Sequence, residues 1–226
     1  MIASIWDETL KMKPLFYYIL ASFAFALMLT APAHADLNAC DGKKLVVFGD
    51  SLVAGYGLEP GAAYPEQLDK KLKEKGIQLE VINAGVSGDT TSSGLARLDW
   101  SVGENANAVV LELGANDALR GISPEVTEKN LDAMISKFKS KNIEVLLVGM
   151  MAPPNMGPSY GEAFNSIYAK LAKKHNIDLY PFFLDGVVAD AKLNQPDGIH
   201  PTKEGIAIII EKSMPAVIKL LNKVCS

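Results

Sequence analysis

The sequence predicts one doubly wound α/β domain, and three observations carry that expectation. Five short apolar runs rich in β-branched residues recur along the chain. Segments with helical spacing or helix-start signals lie between several of them. No internal repeat, low-complexity stretch or interdomain linker interrupts the series. Strands alternating with helices build βαβ units, and so a five-stranded, mainly parallel sheet with helices on both faces. The 226 residues, 49% hydrophobic and 21% charged, suit a chain with one ordinary core. Intrinsic disorder, collagen and a disulfide-built mini-scaffold are excluded.

The chain opens on an export signal. Residues 15–29 (LFYYILASFAFALML) carry no charge, Lys11 and Lys13 precede them, and Ala-Pro-Ala-His-Ala closes the segment at residues 31–35. A basic start, an apolar stretch and an A-x-A site make a cleavable signal peptide over residues 1–35, with the cut expected before Asp36. A retained anchor would need ~20 apolar residues, and Pro32 comes too soon for that. Asp7 and Glu8 sit oddly in a basic region, and a start at Met12 would leave the tighter MKPLF. The mature domain would be residues 36–226, exported to the periplasm or beyond, with no stable membrane span. Cys40 and Cys225 then lie near its two ends, where an oxidising compartment permits a disulfide. Two unrelated thiols are the alternative.

The first strand is expected over residues 44–48 (KLVVF), ended by Gly49. Residues 65–75 follow as a helix, with Leu68 and Leu72 four apart and Gly76 as the stop. Residues 79–83 and 108–113 read as strands. Ser123-Pro124-Glu125 opens a helix, with serine as cap and proline at the first helical position. Its apolar face is Leu131, Met134, Ile135 and Phe138. Residues 143–149 form the fourth strand, and Phe164, Ile167, Tyr168 and Leu171 repeat the helical spacing. Residues 177–183 form the fifth strand. Thr202 caps a last helix with Ile206, Ile209 and Ile210, which Pro215 is expected to kink.

In such sheets ligands bind beyond the carboxyl ends of the strands, near the point where strand order reverses. Four loops there carry polar groups: Gly49-Asp50-Ser51-Leu52, residues 83–89, Gly114-Ala115-Asn116-Asp117 and Asp197-Gly198-Ile199-His200-Pro201. Together they hold the parts for acyl transfer. Ser51 needs a base to become a nucleophile, and His200 can supply one. Asp197, three residues earlier, can hold the far imidazole nitrogen and fix its tautomer. The N–H groups of Ser51 and Gly88 and the amide of Asn116 can receive the oxyanion. Each has a structural alternative: a helix cap for Ser51, a turn for Gly88, a self-bonded loop amide for Asn116. His175, ending a helix among lysines, reads as a solvated terminus. Zinc is disfavoured because the two histidines of the mature chain lie far apart, with no cysteine cluster. A Mg²⁺ site built from Asp50, Asp89 and Asp117 finds no support in their spacing.

Four ordered blocks, VVFGDSLVAGYG (46–57), NAGVSGDTTSSGLARL (83–98), LELGANDALRG (111–121) and QPDGIHPTKEG (195–205), resemble the SGNH or GDSL hydrolases. The likeness covers essentially the whole mature chain and is strongest to the family's secreted bacterial arylesterase, acyl-CoA thioesterase and lysophospholipase branch. It implies the SGNH hydrolase fold, no cofactor, Ser51 as nucleophile, Asp197 and His200 completing the triad, and Ser51, Gly88 and Asn116 as oxyanion donors. The G-x-S-x-G elbow of the larger α/β-hydrolase fold is absent.

The expected reaction is hydrolysis of a small ester or lipid: short-chain or aryl esters first, thioesters and lysophospholipids next. Residues 150–158 (MMAPPNMGP), Leu119 and Ile122 are expected to wall an acyl groove. With 26 acidic against 22 basic residues, a net charge of −4 and a pI near 5.4, nucleic acid is not an expected partner and anionic CoA esters are not steered in. Two other readings fit the residues: a carbohydrate O-acetylesterase using the same site, and a secreted binding protein on a flavodoxin-like scaffold.

Overall fold

A computed structural model describes residues 40–225, so the leader expected over residues 1–35 lies outside the described residues. Five parallel strands, β1 (Lys44–Gly49), β2 (Glu80–Gly85), β3 (Ala108–Glu112), β4 (Glu144–Val148) and β5 (Asp178–Tyr180), pair in the order β2-β1-β3-β4-β5. Every residue of β3, and all but the first of β1 and β4, is buried. Unbroken apolar runs such as Leu45–Phe48 are what a strand covered on both faces requires.

The helices are α1 (Ser51–Ala54), α2 (Tyr64–Glu74), α3 (Thr91–Val102), α4 (Ala115–Leu119), α5 (Pro124–Ser140), α6 (Pro158–His175) and α7 (Lys203–Leu221). Helix α2 packs on α7, while α5 packs between α3 and α6. The crossover from β1 to β2 runs one way along the sheet and those from β2 to β3, β3 to β4 and β4 to β5 run the other, so right-handed connections put α2 on one face and α3, α5 and α6 on the other. The predicted stripes are the buried ones: Leu131, Met134, Ile135 and Phe138 on α5, and Phe164, Ile167, Tyr168 and Leu171 on α6. Among the described residues, no helix is long and apolar enough to cross a membrane.

The local expectations were wrong in places. Strand β5 spans three residues rather than seven, because Pro181 has no N–H for the ladder and the chain turns there. Ser123 makes no side-chain cap on α5; its hydroxyl turns to the Glu125 carboxylate instead. Helix α3 has no apolar stripe to announce it, since Thr91, Gly94 and Arg97 are buried along with Leu98 and Val102. His175 is not a solvated terminus: its ring meets Asp132 at 2.6 Å with only 12% of the side chain exposed.

Cys40 and Cys225 form a disulfide across 185 residues. Cys40 precedes β1 and Cys225 follows α7, so the bond closes the end of the sheet where the strands begin.

Candidate active site

The reversal of strand order falls between β1 and β3, so the loops after these two strands flank one crevice. Asp50 caps α1 after β1, its side chain accepting the Leu52 N–H at 3.0 Å. The cap is Asp50, which leaves Ser51 as the first helical residue, with no intrahelical acceptor for its N–H. The loop after β2 turns at Gly88 in the left-handed region (φ 85°). Asn116 lies in α4, just beyond β3. Asp197 and His200 precede α7, which Thr202 starts by accepting the Gly205 N–H.

A chain of hydrogen bonds joins residues 149 apart in sequence. His200 Nε2 lies 2.8 Å from Ser51 Oγ, and His200 Nδ1 lies 2.7 Å from Asp197 Oδ2. Asp197 Oδ1 also accepts the N–H groups of His200 and Ile199, at 3.0 and 2.9 Å. These bonds, that from the His200 N–H foremost, hold the carboxyl down at about 2. Asp197 therefore stays ionised and fixes both the ring and the tautomer. The Tyr56 ring packs beside the imidazole, 4.7 Å between centroids.

Gly88 and Asn116 line the same cleft as Ser51 and His200. Asn116 Nδ2 donates to Asp50 Oδ2 at 3.1 Å, which orients the amide and leaves its second N–H for another acceptor. Burial pushes the Asp50 carboxyl up to about 6, against the pull of the Leu52 and Asn116 donors. Beneath it Glu112, fully buried, accepts the Asp50 N–H at 3.3 Å. Burial first, and then the Asp50 charge, drive Glu112 well above the usual carboxylate range.

The three aspartates weighed as a cation site are each engaged by protein donors. Asp50 holds Leu52 and Asn116, Asp89 holds Arg97, and Asp117 takes the Thr91 N–H and hydroxyl and the Thr127 hydroxyl. Among the described residues, no group of three histidine, cysteine, aspartate or glutamate side chains is placed to hold a metal.

The cleft encloses about 680 Å³ and is mostly apolar. Met150, Met151, Ala152, Pro153 and Pro154 form one wall, and Leu119 lies on the rim as expected; Ile122 does not reach it. Phe182, Leu184, Val188 and Ile199 complete the far side. The sequence reading missed these four, although they follow β5 directly or sit inside the Asp197–His200 loop. Exposed apolar side chains collect here: Tyr56, Leu119, Met151, Val188 and Ile199 all line the cleft. Such a rim marks a place where apolar ligand surface is covered.

The chain matches the GDSL-like lipase/acylhydrolase family over residues 47–208. Esterase TesA of Pseudomonas aeruginosa is 41% identical over 180 residues, which span 79% of this chain and 90% of that protein. The thioesterase 1/protease 1/lysophospholipase L1 of Escherichia coli is 38% identical over 201 residues, spanning 88% and 92%. Among solved structures, the esterase EstA of a Pseudoalteromonas species, inhibited by monoethylphosphonate, matches with a TM-score of 0.75 at 31% identity. That match covers 80% of this chain and 99% of its own. With the fold, the four blocks and these relatives in agreement, the chain belongs to the GDSL-like lipase/acylhydrolase family.

Proposed function

We propose that the protein is a serine esterase that hydrolyses carboxylic esters through an acyl-enzyme on Ser51. The observation that carries this reading is the hydrogen-bonded chain Ser51–His200–Asp197, opening into an apolar cleft. His200 takes the Ser51 proton as Oγ attacks the carbonyl carbon, and Asp197 stabilises the imidazolium. The Ser51 and Gly88 N–H groups and the free Asn116 N–H receive the oxyanion. His200 then protonates the leaving oxygen or sulfur. Water, deprotonated by the same ring, releases the acid.

Short-chain and aryl esters suit an open apolar cleft best. Thioesters and lysophospholipids are the next classes, in keeping with the names of the relatives. Residues 1–35 act as a cleaved signal peptide, and the mature enzyme works outside the cytoplasm, where its disulfide can form. Amino-terminal sequencing of the secreted protein is expected to begin at Asp36.

Ser51→Ala is expected to lower turnover of p-nitrophenyl acetate by more than ~10⁴-fold, leaving the melting temperature within a few degrees. Full activity in that variant, or failure of an organophosphonate to label Ser51, would overturn the assignment.

A further inference from the structure

Arg97 is the buried cation closest in the fold to the candidate donors, and nothing in the proposed reaction uses it. Only 7% of it is exposed, and every nitrogen of its guanidinium has a partner. Nε donates to Asp89 Oδ2 at 2.5 Å, Nη1 to Ser101 Oγ at 3.0 Å and Nη2 to the Gly49 carbonyl at 2.9 Å. The guanidinium carbon lies 4.0 Å from the centroid of the Phe48 ring, on β1.

Two of these partners adjoin the candidate oxyanion donors. Gly49 stands two residues before Ser51, and Asp89 stands one residue after Gly88. The turn between them is otherwise held by two backbone bonds, Val86 N–H to the Gly49 carbonyl and Asp89 N–H to the Val86 carbonyl, and by the exposed Arg120 guanidinium on the Gly88 carbonyl. Gly49 is the last residue of β1 and pairs with Gly85 on β2, and there is no room for a side chain, since a Cβ would meet Val53 and Glu112 at 2.4 and 2.5 Å. The guanidinium therefore ties the Gly88 turn, through Asp89, to the end of β1, through the Gly49 carbonyl.

We infer that Arg97 is a positioning residue, whose guanidinium sets the separation of the Ser51 and Gly88 N–H donors. This rests on the reading of Ser51, Gly88 and Asn116 as the oxyanion site. A planar fork can hold two acceptors in fixed directions, whereas a lysine ammonium on the same stem is a point charge that cannot span both. Donors displaced by a fraction of an ångström matter most where charge develops, so the effect falls on the transition state rather than on substrate binding.

The test is Arg97→Lys, assayed on p-nitrophenyl acetate well below its melting temperature, with active sites counted by organophosphonate titration. Expected is a ~10- to 100-fold loss of kcat per titrated site, with KM within about twofold, comparable to the cost of a small misplacement of reacting groups. Wild-type kcat per site in a folded Arg97→Lys would overturn the inference and leave Arg97 a structural anchor. If that variant does not fold, Asp89→Ala carries the same two outcomes, because it removes the acceptor of Arg97 Nε while leaving the Gly49 contact in place. Asn116→Ala is run beside them. Full activity there would overturn the oxyanion reading, and this inference with it, whereas loss there with none at Arg97 overturns the inference alone.

Discussion

The two ends of the sheet are built on opposite principles. Where the strands begin, charges lie in pairs: Lys44 with Glu80, Lys219 and Lys223 with the largely buried Asp178, Lys223 with Glu144. The exposed pairs, Lys44 with Glu80 and Lys223 with Glu144, contribute little, up to ~1 kcal/mol each. The disulfide between Cys40 and Cys225 closes that end. Where the strands finish, the charges are buried instead. Asp50 and Glu112 are both fully buried within one hydrogen bond of each other, and Asp89 and Arg97 pair beside them. Buried ions and raised carboxyls lower stability, and they persist where they orient reacting groups. One end of the molecule is organised for stability and the other for chemistry.

Breaking that contrast at its stable end should have the largest effect. Cys40→Ala with Cys225→Ala removes a bond closing a very long loop, and chain-entropy reasoning sets its contribution at up to about 5 kcal/mol. The double variant is expected to lose stability in denaturant titration while kcat per active site stays at the wild-type value. A matching fall in kcat would show that the two ends are coupled.

At the other end, Asn116→Ala should reverse the pattern. Loss of one oxyanion donor costs ~10²–10³ in kcat, with little change in melting temperature. Steady-state kinetics beside thermal denaturation check both halves.

Asp50→Asn separates stability from activity within one residue. Burial holds the folded carboxyl at about 6, above its ordinary value of 3.8. Between those values the unfolded chain has released its proton and the native protein still holds it, so stability falls as pH rises through this window. Asparagine removes that penalty. The variant is expected to exceed the wild type in stability by roughly 1–3 kcal/mol at pH 7, with the difference fading toward pH 4. Its kcat should drop, because a neutral amide holds Asn116 less firmly than a carboxylate. Asp197 has the opposite sign: its carboxyl titrates at about 2, so it stays charged through that range and adds nothing to an acid limb of activity. A stability gain independent of pH would contradict this account of Asp50.

The smallest expected effect is at Ala189, which holds φ at 65° on the exposed loop between β5 and His200. A left-handed conformation is strained for an L-residue with a Cβ. Ala189→Gly should raise stability by about 0.5–1 kcal/mol at unchanged kcat, read from denaturation midpoints.

Much of this site was legible in the chain. Ser51, Asp197 and His200 stand in short polar blocks after apolar runs, and acyl transfer needs those residue types. Arg97 and Glu112 were not legible as anything but charges on a helix and at a strand end. Their meaning comes from burial and from partners 48 and 62 residues away. Tyr56 and Val188 have no local pattern that assigns them to a wall, and only the closure of the cleft gives them one to form. Helix α3 escaped notice because its buried face holds threonine, glycine and arginine, which no apolar periodicity can report.

Hydrophobic periodicity and turn chemistry are local, so five parallel strands, their covering helices and four functional loops could be read along the chain. Strand order is a property of pairings far apart in sequence. The order β2-β1-β3-β4-β5 brings Ser51, Gly88 and Asn116 to one crevice and lowers His200 onto Ser51 at 2.8 Å. Desolvation follows from that assembly alone. It raises Asp50 and Glu112, while hydrogen bonds formed in their exposed loop keep Asp197 ionised beside His200. Residue identity chose the chemistry, and long-range packing chose the distances and the charge states.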